Sequence, residues 1–594
     1  MRSIWYRYHF RSLLVILLSV MFSLPAVASQ GDDRATNLLN SRRNIKRVLL
    51  ISIDGMHALD FQNCSKGISG VNGGKPYCSN LAALAQNGVN YLQAYASRPS
   101  DSFPGTVALL TGATPRSSGA FYDVSYDRRL SPPKMTTPYG IIGDAANTDP
   151  TFSPTDGGST NFLGYDSCKA GVRGTQVGFD EEIDTDYTQL NAGGGINPNY
   201  LPRDPDNGCK PVYPHNFVRV NSVFEVVNGA GGYTAWSDKH RTYTDFSQPS
   251  DPYSPEINSV PTAQSVATVL GESCSPLPDQ TRVASGDSWS DSFQNIRCYD
   301  TLKVNAVINW IDGKTHDATK SAPVPNVMGM NFQAVSVGQK LVEKSTGVTG
   351  GYTDATGTPT STLLTEIRFV DSSIGEMLQA LAKRGLLNST LIIVSAKHGQ
   401  SAINPASVLR IPADNSSLEA PSVALGGVGS GLTAGLPGSK LVGQALEDDI
   451  SLIWLTDQSQ TAAAVATLNA NLSKIGGGEI FYGPSLALMF NSPQSDSRTP
   501  DIIVAPNVGV VYTGGTKKVA EHGGFANDDR NVMMLVSNPR LSASTVTNPV
   551  ETRQVAPTIL SALGLDTDLL QAVQKEHTEI LPGLSWVTGS DNCR

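Results

Sequence analysis

Residues 47–54, RVLLISID, form an unbroken apolar run rich in β-branched side chains that closes on Asp54 and Gly55. Such a run predicts a strand buried on both faces, with a carboxylate at its C-terminal end. LAALAQNG (81–88) has helical spacing and a Gly stop. VNYLQAYA then reads as a strand and GTVALLTG (105–112) as a short helix after a turn. The pattern resumes far downstream. NVMGMNF (326–332), STLIIVSAKHG (389–399), PDIIVAP (500–506) and NVMMLVSNP (531–539) predict strands. LLTEIRFVDSSIGEMLQALAKRGLL (363–387), QTAAAVATLNANLSKI (460–475) and ETRQVAPTILSALGL (551–565) predict helices. Alternation of this kind implies a doubly wound, mostly parallel sheet between helical layers.

Between about 128 and 325 the periodicity fades into Pro, Gly, Asp, Ser and Tyr, and this span holds four of the seven cysteines, Cys168, Cys209, Cys274 and Cys298. It is expected to be a long, loop-rich, disulfide-clamped insertion rather than disorder, because its aromatic content is too high for the latter. A smaller subdomain is expected near 400–515.

At the N-terminus, Arg2, Arg7 and Arg11 precede the apolar SLLVILLSVMFSL and the small-x-small Ala26-Val27-Ala28. This is the pattern of a cleaved export signal over residues 1–28, with a mature chain of 29–594. The apolar run is short for a bilayer span, which needs about 20 residues. A secreted or periplasmic protein with no membrane attachment after cleavage is expected. The formal net charge is −9, and loss of a segment that carries three arginines and no carboxylate leaves −12. So acidic a chain is a poor partner for nucleic acid polymers. In an exported chain disulfides are the default. Pairing of neighbours in sequence gives Cys64–Cys78, Cys168–Cys209 and Cys274–Cys298, leaving Cys593. Six cysteines allow 15 connectivities, so the pairing is open, as is the oligomeric state. Sequons stand at Asn63, Asn388, Asn415 and Asn471.

Four positions carry candidate chemistry. Ser102, in DSFPGTVALLTG, opens a helical run, where free N–H groups favour an anion; alone, it could be a simple N-cap. Asp54 at a strand end can hold a divalent cation or cap a turn. His398 and His522 sit at Gly-flanked turns beside strands, and either could be a ligand or a structural histidine. A cation on Ser102 would lower the hydroxyl pKa and generate a nucleophile.

LLISIDGM (49–56), DSFPGTVALLTGATPRSSG (101–119), VDSSIGEMLQALAKRG (370–385), VSAKHGQ (394–400) and EHGGF (521–525) together resemble the alkaline phosphatase superfamily, in particular its type I phosphodiesterase/nucleotide pyrophosphatase branch. The resemblance implies an alkaline-phosphatase-like α/β three-layer sandwich with a two-metal site at the strand ends. It implies hydrolysis of small phosphate esters of the phosphodiester or nucleotide pyrophosphate type. Ser102 matches the family nucleophile, Asp54 the first metal aspartate, His398 the histidine of Asp-His-Gly, and His522 the late metal histidine. The departures are as pointed. Lys397 replaces the Asp of Asp-His-Gly. The family's Asp-x-x-x-His pair falls on a strand end with neither residue, near Asn331, Gln333 and Val337. Asp123 stands where the family has an Asn that steadies a phosphoryl oxygen.

An ammonium in place of a carboxylate changes the local charge by two units. The expected cofactor is therefore a divalent metal, Zn²⁺ first, with fewer than two ions, or a metal-free site. In the first case Asp54, Ser102 and His398 hold one cation. In the second Lys397 takes over the phosphate-binding charge, with Asp123, Asn331 and Gln333 as substrate contacts and His522 holding water or the transferring group. Titration of a buried Lys397 is a third route. Asp238, Lys239 and His240 in TAWSDKHRTY (234–243) could supply substitute ligands or substrate contacts, or be a solvated turn. Ser102-Phe-Pro-Gly-Thr106 lacks the Arg of sulfatase maturation, which places a sulfatase low. A phosphomonoesterase, a phosphonate hydrolase and a non-catalytic binding protein on the same scaffold compete with the diesterase reading.

Overall fold

The computed structural model describes residues 44–133, 168–169, 171–179, 196, 198, 200–255, 291–411, 417–428, 441–512 and 518–584. The export signal, Cys274, Cys593 and Asn415 lie outside the described residues.

The eight strands of the central sheet are β1 (Arg47–Ile53), β2 (Gly88–Tyr91), β3 (Thr234–Ser237), β4 (Asp251–Tyr253), β5 (Val327–Phe332), β6 (Thr390–Ser395), β7 (Leu535–Ser537) and β8 (Ser544–Val546). Their spatial order is β8-β2-β7-β6-β1-β5-β3-β4. β1 pairs in parallel with β5 and β6, and β5 with β3. β7 alone runs against its neighbours. Alternation along β1 decides the layers: Val48 and Leu50 enter one core, and Leu49, Ile51 and Ile53 the other. In β6, Leu391 and Ile393 face the first core and Ile392 and Val394 the second. The first core is closed by α1 (Ser102–Thr111) and α4 (Val555–Leu563), the second by α2 (Phe293–Ile311) and α3 (Ser361–Lys383). Both faces of the sheet are thus covered, which is why its central strands read as continuous apolar runs.

The predicted strands and helices fall close to the observed elements, with ends shifted by a few residues. The span 128–325 is more than a loop-rich insertion. β3, β4 and α2 arise inside it and extend the central sheet and one helical layer. β3, with four residues, matches the strand-to-loop context expected of TAWSDKH, whereas β4, with three, is too short for alternation to show. Residues 441–505 build a separate four-stranded antiparallel sheet (Val442–Glu447, Ser451–Leu455, Ile502–Ala505, Glu479–Tyr482) backed by the helix Thr461–Ala470. Cys64–Cys78 and Cys168–Cys209 are disulfides, and Cys298 is also disulfide-bonded. Among the described residues no helix is long and apolar enough to cross a membrane.

One contact sets the position of α1. A Cβ on Gly105 would lie 2.3 Å from the Lys397 carbonyl oxygen, so the helix rests directly on the turn after β6. Gly105→Ala is therefore expected to lower stability by about 1–3 kcal/mol through overpacking, read as a shifted denaturant midpoint. An unchanged midpoint would show that the helix can lift away at no cost.

Candidate functional site

The C-terminal ends of β1, β5, β6 and β3 converge, as expected for the ligand edge of a doubly wound sheet. Asp54 follows β1, Asn331 lies near the end of β5, Lys397 and His398 follow β6, and Asp238, Lys239 and His240 follow β3. Ser102 is the first residue of α1. Asp101 caps that helix by accepting from the Phe103 N–H at 3.0 Å. The second oxygen of Asp101 is buried without a hydrogen-bond partner.

Ser102 Oγ sits between two nitrogens. Lys239 Nζ donates to it at 3.0 Å, and His398 Nε2 lies 3.2 Å away. His398 Nδ1 is 2.7 Å from the Gly399 carbonyl. A carbonyl only accepts, so Nδ1 carries the proton and Nε2 presents its lone pair to the serine. Burial, reinforced by the adjacent His522, holds the His398 imidazole well below its ordinary pKa and therefore neutral. The two rings stack with centroids 3.9 Å apart. Burial, aided by Lys340, brings His522 down to about 4.

Asp54 Oδ2 accepts from Asn331 Nδ2 at 3.0 Å and lies 3.9 Å from His398 Nε2, while Oδ1 is buried with no hydrogen-bond partner. Burial is the largest influence on this carboxyl and pushes its pKa up. The charges of Lys397 first and then Lys239, with the Asn331 hydrogen bond, outweigh it and hold Asp54 well below the carboxylate range. Asp101 and Asp123 move the other way, raised chiefly by burial. The Asp123 N–H donates to Asp101 Oδ2 at 3.2 Å.

A cavity of about 330 Å³ opens on this edge. Its wall includes Asp54, Asp123, Lys239, Gln333, His398 and His522. Ser102 is fully buried and stands behind Lys239 and His398. A larger cleft of about 890 Å³ lies elsewhere, between Arg98, Phe525, Leu488 and His577. Ser102, Asp54 and His398 are not among the residues that line it.

Of the residues singled out in the sequence, Asp54, Ser102, Asn331 and His398 are joined through direct contacts, and His522, Asp123 and Gln333 border the same space. Lys397 takes a different place. Its Nζ is wholly buried, paired with the equally buried Asp238 Oδ1 at 2.6 Å, and lies 4.3 Å from the Tyr243 ring centroid. The ammonium that reaches the serine is that of Lys239. Sequence reasoning missed Asp101 and Lys340; the one available signal was the position of Asp101 beside the candidate nucleophile.

The donor set does not fit the metal pair of the alkaline phosphatase superfamily. Among the described residues no group of three His, Cys, Asp or Glu is arranged to hold a metal ion. Asn331, uncharged, stands where an acidic ligand is expected and occupies one Asp54 oxygen as a donor. Lys239 already holds Ser102 Oγ. Unit charges of like sign 4 Å apart repel by about 4 kcal/mol at an effective dielectric constant near 20, and a divalent ion doubles this to about 8 kcal/mol.

A family model described as type I phosphodiesterase / nucleotide pyrophosphatase matches residues 48–528. No curated protein sequence matches. Among solved structures, wild-type alkaline phosphatase PafA is similar at 11% identity, over 89% of this chain and 97% of that chain, with a TM-score of 0.51. Murine ectonucleotide pyrophosphatase / phosphodiesterase 5 is similar at 12% identity, over 88% of this chain and 96% of that chain, with a TM-score of 0.48. The likeness to PafA supports the alkaline-phosphatase-like fold.

The buried Lys397–Asp238 pair makes a stability prediction. Lys397→Met alone leaves an uncompensated buried carboxylate and is expected to cost about 3–5 kcal/mol. Combining it with Asp238→Leu should recover much of that loss in denaturant unfolding. Strictly additive losses would mean that the two groups are not coupled.

Proposed function

The chain belongs to the type I phosphodiesterase / nucleotide pyrophosphatase family, and from that premise we propose that it is an exported phosphate-ester hydrolase whose nucleophile is Ser102. Family membership makes it a hydrolase of phosphoester bonds. The observation that carries the finer reading is the placement of Ser102 Oγ between the His398 lone pair and the Lys239 ammonium, at the N-terminus of α1.

Ser102 attacks phosphorus as its proton passes to His398 Nε2. The P–O bond to the leaving group breaks on the opposite side, and the leaving oxyanion takes a proton from water. The hydroxide so formed attacks the phosphoserine from the vacated side. The P–Oγ bond then breaks, and His398 returns its proton to Ser102. The Asp123 carboxyl, on the cavity wall, faces the non-bridging oxygens. Asp123 serves there as a donor when protonated, a state that its burial favours. Substrates of the phosphodiester or nucleotide pyrophosphate type are favoured, since a cavity of about 330 Å³ takes a small phosphate ester and not a polymer. Export rests on the N-terminal signal pattern, and the disulfides agree with it.

Purified protein should turn over a chromogenic phosphodiester, and Ser102→Ala should lower kcat by on the order of 10³-fold or more. A Ser102→Ala variant as active as the parent would remove the serine from the mechanism. Absence of turnover in the parent across diester, monoester and phosphonate substrates would favour a non-catalytic binding protein.

The pH profile supplies a second check. His398 acts only when neutral, so activity is lost as pH falls through its folded pKa. Burial, His522 and Lys239 lower that pKa and Asp54 opposes them. The acid limb of kcat/KM attributable to this histidine should thus lie below about pH 6.5, the unperturbed imidazole value. An acid limb above 6.5 would assign the base elsewhere.

A further inference from the structure

We infer that Lys239 is a catalytic residue that takes the place of the family's Lewis-acid metal, so that Ser102 is activated by an ammonium group and turnover needs no divalent ion. The inference rests on the reading of Ser102 as nucleophile and goes beyond it by naming the cation.

Three observations converge on it. The first is contact. Lys239 Nζ touches the attacking atom itself, 3.0 Å from Ser102 Oγ, so its charge acts directly on the oxyanion that forms during attack and again when the P–Oγ bond breaks. The second is how Lys239 is held. Its backbone N–H donates to Asp238 Oδ1 at 2.8 Å, and its carbonyl accepts from Tyr299 Oη at 2.5 Å. Asp238 is fixed in turn by Lys397 at 2.6 Å and by the Trp236 indole N–H at 3.0 Å. The lysine at the altered family position therefore positions its neighbour across the sheet rather than binding substrate. The third is charge. An acidic ligand has become Lys397, and a neutral Asn331 donates to Asp54. Both changes remove the negative charge that a pair of divalent ions requires, and both are compatible with one ammonium against Asp54 and an ionised serine.

An ammonium on a four-carbon stem can follow Oγ as phosphorus approaches. It stabilises the alkoxide electrostatically and by a charge-assisted hydrogen bond. Proton accounting is unchanged: the serine proton still goes to His398 and returns from it, and Lys239 keeps its own.

The test uses the full chain. Protein dialysed against a chelator is assayed with a chromogenic phosphodiester, its metal content is measured by mass spectrometry, and Zn²⁺ is titrated into it calorimetrically. The expected result is turnover within about twofold of the untreated protein and no stoichiometric Zn²⁺ binding. Lys239→Ala should lower kcat by about 10²–10³-fold with little change in KM, and added ethylamine should restore part of it. Lys239→Arg should retain more activity than Lys239→Ala at an equal melting temperature, separating loss of the charge from loss of the fold. Turnover abolished by chelation and restored by Zn²⁺ overturns the inference. So does one or more equivalents of Zn²⁺ bound through Asp54, shown by loss of binding in Asp54→Ala, whatever the turnover. A fully active Lys239→Ala does the same. If Ser102→Ala stays fully active, the nucleophile reading itself fails; if Ser102→Ala is inactive and chelation also abolishes turnover, only the role of Lys239 fails.

Discussion

The site depends on one buried ion pair. Lys397 and Asp238 meet at 2.6 Å with neither side chain exposed, and they tie the loop after β6 to the loop after β3. Between those strands lie β1 and β5, whose ends carry Asp54 and Asn331. The pair thus spans the C-terminal edge of the sheet. Taking both charges out of water is costly, and their mutual attraction offsets the cost only with good geometry and further partners. Those partners are present: Trp236 donates to the carboxylate, and the ammonium lies over the Tyr243 ring.

The electrostatics of the cavity follow from this arrangement. Lys397, from behind, is the foremost influence keeping Asp54 ionised against its burial. Asp238, held by Lys397, presents Lys239 to the serine. The buried ammonium at 397 is balanced by a carboxylate from a distant part of the chain. Ser102, His398 and the helix N-terminus stay in place because α1 rests on the Lys397 backbone through Gly105, a contact indifferent to the charge of the side chain at 397.

Much of this was legible in the residues. The apolar runs at 47–53, 327–332 and 390–395 announced the central strands because they are buried on both faces. Asp54, His398 and His522 stood out because each is followed by Gly at a strand end or turn, and Ser102 because it opens a helical run. β3 was legible only as a strand-to-loop context around TAWSDKH, and β4 was not legible, since three residues show no period. The role of Lys397 was not legible either: the position reads as site-facing, but side-chain direction depends on where the partner carboxylate lies, 159 residues earlier in the chain.

By itself, then, the sequence determined the layered α/β scaffold, the family, the nucleophile candidate and the presence of a lysine beside His398. These are properties of local pattern and residue type. Only the tertiary structure decided that Lys397 turns inward to Asp238 while Lys239 reaches Ser102. That choice turns on distances between groups far apart in sequence, and a charge finds its partner by position in space and by the low dielectric around it, neither of which is written in the order of residues.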